Sequence, residues 1–208
     1  MNWTEKYRPK RVSDIIGQEN FIKDATSWIE INEMPNVLIY GNPGNGKTTA
    51  GHALANEILG ESKSLNFIEI NASQDRRLDT IRDTITNFAN TKGTDDVPFK
   101  ICFLDEIDGM TKDSQRALKR TMERAISVRF VITCNEAQDV DYAIRSRCAN
   151  YWFQPLSADS MYKVLTDIIK NESYEVGDEE LMLYCESING DMRRAINELQ
   201  ACAFSEST

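Results

Sequence analysis

Gly41-Asn42-Pro43-Gly44-Asn45-Gly46-Lys47-Thr48 decides how this 208-residue chain is read. The spacing G-x-x-x-x-G-K-T is that of a loop that wraps phosphate oxygens in backbone N–H groups. Asn36-Val37-Leu38-Ile39-Tyr40 precedes it, a short apolar run that reads as a buried strand. Thr48 to Leu59 follows, with Ala50, Ala53, Leu54 and Ile58 spaced for one face of a helix. Strand, glycine-rich turn and helix is the setting in which such a loop works. The glycines let the backbone close in, and the helix N-terminus adds partial positive charge. Lys47 is placed to reach the outer phosphates of a nucleoside triphosphate, and the Thr48 hydroxyl to hold Mg²⁺. A turn that only joined strand to helix would need neither residue.

Working outward, Asn66 to Asn71 is a second strand candidate, and Leu78, Ile81, Ile85 and Phe88 fall at helical spacing. Asn90 to Pro98 is rich in turn formers. Ile101-Cys102-Phe103-Leu104 is a continuous apolar run, as expected of a strand covered on both faces. Asp113-Ser114 can cap a helix reaching about Ile126, Phe130 to Cys134 is the next strand, and Tyr151-Trp152-Phe153 the last. Strands alternating with helices predict an α/β domain with a parallel sheet over residues 1–155. Beyond Pro155 the pattern is helical. Ser157 or Asp159 caps a helix carrying Met161, Val164, Leu165 and Ile168. Asp178 caps a second with Leu181, Leu183 and Tyr184. Gly190 ends that one, and Asp191 caps a third with Met192, Ala195, Ile196 and Leu199. Residues 156–208 thus read as a small three-helix domain.

Composition narrows the class. The apolar share, 41%, supports a packed core. No stretch is long and apolar enough to span a membrane, and the polar start Met1 to Lys6 is no secretory signal. The five cysteines include no C-x-x-C pair, so neither a zinc site nor a disulfide framework is implied. Reduced, packed thiols predict an intracellular setting, cytoplasmic in a prokaryote or its viruses and nuclear in a eukaryote. Net charge is −9, which argues against a strongly basic nucleic-acid surface. Residues 1–155, however, hold 20 Lys+Arg against 22 Asp+Glu, while residues 156–208 hold 4 against 11. The excess acid lies in the helical tail and reads as a solvated surface. The first part is close to neutral and can still present a basic stripe.

Three further places carry chemistry. Asp105-Glu106-Ile107-Asp108 follows the Ile101–Leu104 strand at the sheet edge where parallel α/β folds bind ligands. Asp105 is the expected Mg²⁺ partner and Glu106 the group that polarises the attacking water. Asn135 closes the next strand, where a neutral amide can hold either that water or the γ-phosphate. Ile144-Arg145-Ser146-Arg147-Cys148 puts two arginines before the final strand. An arginine that neutralises transition-state charge is worth roughly 10³–10⁵-fold in phosphoryl transfer and is often supplied by another subunit.

The order of these elements resembles a known family. Trp3-Thr4-Glu5-Lys6-Tyr7-Arg8-Pro9, Ile15-Ile16-Gly17-Gln18, the phosphate loop, Asn71-Ala72-Ser73, Phe103 to Asp108, Ser146-Arg147-Cys148 and Gly190 to Asn197 occur in the order seen in replication factor C small subunits. These are the AAA+ ATPases of the sliding-clamp loader. The resemblance spans nearly the whole chain. It implies a P-loop ATPase domain followed by a helical lid, with ATP and Mg²⁺ as cofactors. Tyr7, Arg8, Pro9, Ile15, Ile16 and Gly17 would line an adenine pocket. Asn42, Pro43, Gly44, Asn45, Gly46, Lys47, Thr48 and Thr49 would hold the phosphates, and Thr48 and Asp105 the metal. Lys47, Glu106 and Asn135 would be catalytic. Arg193 would reach in from the lid, and Arg147 would act on ATP bound to a neighbouring subunit.

The implied partners are a sliding clamp, primer–template DNA and other loader subunits, with no membrane role. Arg76, Arg82 and Lys112, with Gln115 as a further candidate, match the family's contacts to the duplex backbone. Such contacts give affinity without sequence choice. The family's third, collar-forming helical domain is expected to be absent, since the chain ends at Thr208. Two other readings share the nucleotide site. One is a different DNA-associated AAA+ ATPase, such as a branch-migration motor or helicase loader. The other is a nucleotide-binding scaffold subunit with little turnover.

Overall fold

The computed structural model describes residues 2–73, 78–93 and 97–206. In chain order the elements are α1 (Trp3–Lys6), α2 (Glu19–Ile31), β1 (Val37–Tyr40), α3 (Lys47–Leu59), α4 (Lys63–Asn66), β2 (Phe67–Asn71), α5 (Leu78–Asn90), β3 (Lys100–Asp105), α6 (Lys112–Arg124), β4 (Val128–Cys134), α7 (Tyr142–Arg145), β5 (Ala149–Trp152), α8 (Ala158–Glu172), α9 (Asp178–Ser187) and α10 (Met192–Glu206). The five strands form one parallel sheet in the order β2-β3-β4-β1-β5. This is the α/β architecture that the alternating pattern predicts.

The strands are apolar on both faces because both faces are covered. Along β1, Val37 and Ile39 point to one face and Leu38 to the other, as the period of two requires. Leu38, Leu104 and Ile132 pack with Ile81 and Ile85 of α5 and Leu118 and Met122 of α6. Ile39, Phe103 and Val131 pack with Phe21 and Ala25 of α2 and with Ala53, Leu54 and Ile58 of α3. A third cluster is made by α8, α9 and α10 through Met161, Leu165, Ile168, Leu181, Ala195 and Leu199. Trp3, only 4% exposed, belongs to this third cluster. Its N–H donates to Gln200 Oε1 at 2.9 Å, and its ring meets Phe204 edge-on at 6.2 Å. The N-terminal segment is therefore built into the helical tail's core.

Several local expectations are corrected. The cap of α6 is Thr111, whose hydroxyl accepts from Ser114 N–H at 3.2 Å, and not Asp113-Ser114. That helix ends at Arg124, and Ile126 beyond it is 83% exposed. The N-cap of α9 is Gly177 rather than Asp178, and Leu183 is exposed. For α8 the structure selects Ser157, which accepts from Ser160 N–H. Asp191 does cap α10, accepting from Arg194 N–H at 3.0 Å. Helix α2 was not anticipated, although Phe21, Ala25 and Trp28 have the spacing of one helical face.

Candidate nucleotide site

Parallel register brings the strand ends together. Tyr40 pairs with Cys134, Leu104 with Ile132, and Asn71 with Asp105. The residues that follow β1, β3 and β4 therefore emerge side by side at one edge of the sheet. Gly41 N–H donates to Asn135 O at 3.0 Å, which ties the start of the loop to the end of β4.

Gly46, with φ +86°, is the N-cap of α3, and no side chain caps that helix. Its first N–H groups are thus left for a ligand. A Cβ at Gly46 would meet nothing within 4 Å, so the space over the helix start is open. Gly44, φ +84°, lies against the tail, since a Cβ there would come within 2.0 Å of Asp191 Oδ1. Any side chain at Gly44 would displace the residue that caps α10. Lys47 Nζ donates to Gly41 O at 2.6 Å, Asn42 O at 3.0 Å and Asn135 Oδ1 at 3.3 Å. Its ammonium is held by the loop's own carbonyls. Burial lowers its pKa from the ordinary lysine value, while Asp105 and Asp108 act in the opposite direction.

Thr48 Oγ1 donates to Asp105, 3.3 Å from each carboxylate oxygen. Asp105 also accepts from the hydroxyl of Thr133 on β4. Glu106 has φ +56°, an uncommon conformation for a residue with a side chain. Its N–H donates to Thr133 Oγ1 at 3.1 Å, and its Oε2 accepts from Ser73 Oγ at 2.8 Å. Pro43, Gly44, Lys47, Thr48, Asp105, Glu106, Asn135 and Arg193 all line one cleft of about 100 Å³. Among the described residues no group of three His, Cys, Asp or Glu is placed to hold a metal. One hydroxyl and one carboxylate suit Mg²⁺, which keeps several waters and takes phosphate oxygens as its other ligands.

That cleft adjoins a cavity of about 700 Å³, and Gly44, Gly46, Thr49 and Arg193 line both. The larger cavity is lined by Tyr7, Arg8, Pro9, Ile15 and Ile16 of the N-terminal segment together with Leu156, Val164, Met192, Arg193 and Ile196. Gly17 is not in its lining; a Cβ there would meet Leu156 Cδ2 at 2.8 Å, so Gly17 admits the wall rather than forming it. Arg8 Nε donates to Thr49 Oγ1 at 3.3 Å. Tyr7 Oη and Lys6 Nζ both donate to Glu172 Oε1 of α8, at 2.7 and 2.6 Å.

The remaining candidates lie elsewhere. Arg147 is exposed, in a groove with Trp28, Met34, Ile126 and Arg129. Its Nε and Nη2 donate to Glu123 Oε1 at 3.1 and 2.6 Å, and Nη1 donates to Ala143 O. Arg82 is exposed and paired with Asp79 and Asp83 at 3.4 and 3.6 Å. Lys112 Nζ donates to Gln138 O. Arg76 lies outside the described residues. Gln115 is corrected: it is fully buried and cannot meet DNA. Its amide donates to Ile107 O, Met110 O and Asp139 O, and its carbonyl accepts from Asp141 N–H at 2.6 Å.

Sequence reasoning gives no role to Thr133 or Glu172, and names Asn71, Ser73 and Asp108 only as parts of motifs. Ser73 joins Asn71 Oδ1 to Glu106, and Asp108 grips Asn135. Asp108 had a signal, a third carboxylate in the same run. Thr133 had none, because only the β3–β4 register puts it beside Asp105.

Known proteins bear on this arrangement. A family model described as "ATPase family associated with various cellular activities (AAA)" matches residues 37–156. A replication factor C small subunit of Methanocella arvoryzae is 45% identical over 202 residues, 97% of this chain and 63% of its own length. One from Picrophilus torridus is 42% identical over 200 residues, covering 96% of this chain and 63% of the relative. The chain thus spans a little under two thirds of these relatives. Among solved structures, the Thermotoga maritima RuvB Holliday junction branch migration motor superposes with a TM-score of 0.76. It is 21% identical, over 91% of this chain and 63% of that one, so the likeness concerns the fold. Among the described residues no helix is long and apolar enough to cross a membrane. The parallel sheet, the loop between β1 and α3 and a family match over more than half of the chain agree: this chain belongs to the ATPase family associated with various cellular activities and is similar to replication factor C small subunits.

Proposed function

We propose that this chain binds ATP with Mg²⁺ and hydrolyses it as a small subunit of a sliding-clamp loader acting on primer–template DNA. The observation that carries the reading is the meeting of Lys47, Thr48, Asp105, Glu106, Asn135 and Arg193 around one cleft that adjoins a 700 Å³ cavity. The relatives' name, replication factor C small subunit, supports the clamp-loading part. In this reading residues 1–155 are the ATPase domain and residues 156–208 its lid.

Tyr7, Arg8, Pro9, Ile15 and Ile16 enclose the adenine, with Gly17 shaping the wall. The loop from Asn42 to Thr49 takes the phosphates. Lys47 exchanges the carbonyls of Gly41 and Asn42 for phosphate oxygens. Thr48 and Asp105 would hold Mg²⁺, which when bound would neutralise charge on the outer phosphates. Glu106 polarises the attacking water. The single hydroxyl hydrogen of Ser73 serves either Asn71 Oδ1 at 2.6 Å or Glu106 Oε2 at 2.8 Å, and Glu106 is the stronger base when it goes to Asn71. Arg193 brings the lid's charge to the same cleft. Arg147, outside its own chain's cleft, serves the site of a neighbouring subunit, so assembly is part of catalysis. Arg76, Arg82 and Lys112 contact the DNA backbone.

The test is ATP turnover by the chain assembled with its partner subunits, with and without clamp and primed DNA. Lys47→Ala abolishes turnover. Glu106→Gln retains nucleotide and lowers turnover by about 10²-fold or more. An assembly of verified mass whose turnover ignores clamp and primed DNA removes the clamp-loading assignment. A Glu106→Gln variant no slower than the parent favours a nucleotide-binding scaffold.

A further inference from the structure

Asp108 has no part in the reading above, yet it holds the Asn135 amide. After β3 the chain turns through Glu106 and the short 3-10 segment Ile107–Gly109, which carries Asp108 to the end of β4. Asp108 Oδ2 accepts from the Asn135 backbone N–H and from its side-chain Nδ2, each at 3.0 Å. Asp108 Oδ1 is buried and has no hydrogen-bond partner among the described residues. A buried carboxylate oxygen left without a donor is costly to the fold.

An asparagine amide has a donor end and an acceptor end. With Nδ2 on Asp108, Oδ1 faces the cleft and accepts from Lys47 Nζ at 3.3 Å. The reversed amide would set oxygen against the Asp108 carboxylate and NH₂ against the Lys47 ammonium, and both contacts are repulsive. Asp108 and Lys47 therefore select one orientation of two.

We propose that Asp108 is a positioning residue that sets the polarity of Asn135, presenting its carbonyl oxygen to the reacting groups. This rests on the ATP-hydrolysis reading and deepens it. When Lys47 turns to the phosphates, Asn135 Oδ1 becomes a free acceptor. It then takes a hydrogen bond from one hydrogen of the attacking water, while Glu106 removes the other as a proton. The water oxygen bonds to the γ-phosphorus, and the bond to the ADP oxygen breaks. Asn135 neither gains nor loses a proton and donates nothing to the γ-phosphate. The sequence left open whether Asn135 holds water or phosphate; its polarity decides for water.

Two measurements test this. The first is nucleotide affinity and turnover of the assembled protein carrying Asp108→Asn, Asp108→Leu, Asn135→Asp, or the exchange Asp108→Asn with Asn135→Asp. Asp108→Leu lowers kcat about tenfold or more and leaves nucleotide affinity within about threefold. Asn135→Asp alone sets two carboxylates face to face and is the slowest. The exchange reverses the hydrogen bond but keeps an acceptor facing the cleft, so it turns over faster than Asn135→Asp. An exchange variant that recovers nothing, or an unchanged kcat in Asp108→Leu, overturns the proposal. The second measurement needs no turnover. In NMR spectra of the chain alone, one proton of the Asn135 side-chain NH₂ is shifted downfield by its hydrogen bond, and Asp108→Leu removes that shift. An Asn135 NH₂ shift unchanged in Asp108→Leu also overturns it. A parent assembly with no turnover would count against the ATPase reading, and the NMR result would still decide the orientation.

Discussion

Replacing Gly51 by alanine should destabilise this protein, although helix propensity says the opposite. Gly51 lies inside α3, where alanine is favoured over glycine by about 0.8–1.0 kcal/mol. A Cβ at that position would fall 2.2 Å from Phe103 Cε2, 2.9 Å from Cδ2 and 3.2 Å from Cζ. Carbon atoms in contact sit about 3.5–4.0 Å apart, so the ring must move by more than ~1 Å. Phe103 is fully buried, with His52 at 5.2 Å and Phe67 at 6.5 Å between ring centroids. An encroachment this deep belongs at the upper end of overpacking costs, about 2–3 kcal/mol. Set against the propensity gain, the net loss is about 1–2 kcal/mol. For a chain of this length that lowers the melting temperature by about 2–8 °C. The assay is urea unfolding followed by far-UV circular dichroism, with a thermal melt beside it. Gly51→Ala combined with Phe103→Leu separates the causes, because a smaller partner removes the clash and leaves the propensity gain. A single variant as stable as the parent, or more stable, refutes the reasoning. Phe103 stands two residues before Asp105, so its displacement should also lower nucleotide affinity.

Other outcomes follow from particular contacts. Gln115→Leu leaves the part-buried Asp141 N–H without its acceptor and costs about 1–3 kcal/mol, measurable as a lower urea midpoint. Hydrogen bonds from Arg194 and then Tyr184 hold the Glu198 carboxyl below its ordinary value of 4.5. A depressed folded pKa gives stability that is full above about pH 4.5 and is lost as pH falls through the folded value. The stability gap between the parent and Glu198→Gln should therefore be largest near neutrality and close on acidification; a gap that widens in acid contradicts the assignment. Burial pushes the thiols of Cys134 and Cys148 up to about 12 and also raises Cys102 and Cys185, whereas Cys202 is exposed. Ellman's reagent on the folded chain should find Cys202 fast and the others slow until denaturant is added, and labelling mapped to Cys102 or Cys134 at the fast rate would refute this.

The parts of the fold legible in the sequence were those encoded by neighbouring residues. The β1–loop–α3 unit was readable because an apolar run, fixed glycines and a helical stripe follow one another without interruption. Helix α2 was missed because its buried face is narrow and its partners, Ala53 and Tyr151, are far along the chain. The cap of α6 was misplaced because Thr111, Asp113 and Ser114 are all competent caps, and only the backbone path shows which one meets a free N–H. Gln115 was a candidate DNA contact only through the family resemblance, and a matching position does not say which face of the helix is buried. Its burial depends on the Ile107–Asp108 turn and on the Asp139–Asp141 segment, which the helix itself does not encode.

By itself, the sequence determined the chemistry at the nucleotide site: a loop of backbone donors, a lysine, a hydroxyl and two adjacent carboxylates. That information is local, since glycine conformations and adjacent side chains need no distant partner. The tertiary structure alone decided which groups act on that chemistry. Parallel register placed Thr133 beside Asp105. Packing of Trp3 into the tail and the grip of Glu172 on Tyr7 closed the larger cavity. The turn after Glu106 brought Asp108 to Asn135 and so fixed which end of an amide faces the cleft. Each of these depends on elements that meet only when the layers pack, and the spacing of residues along the chain carries no trace of it.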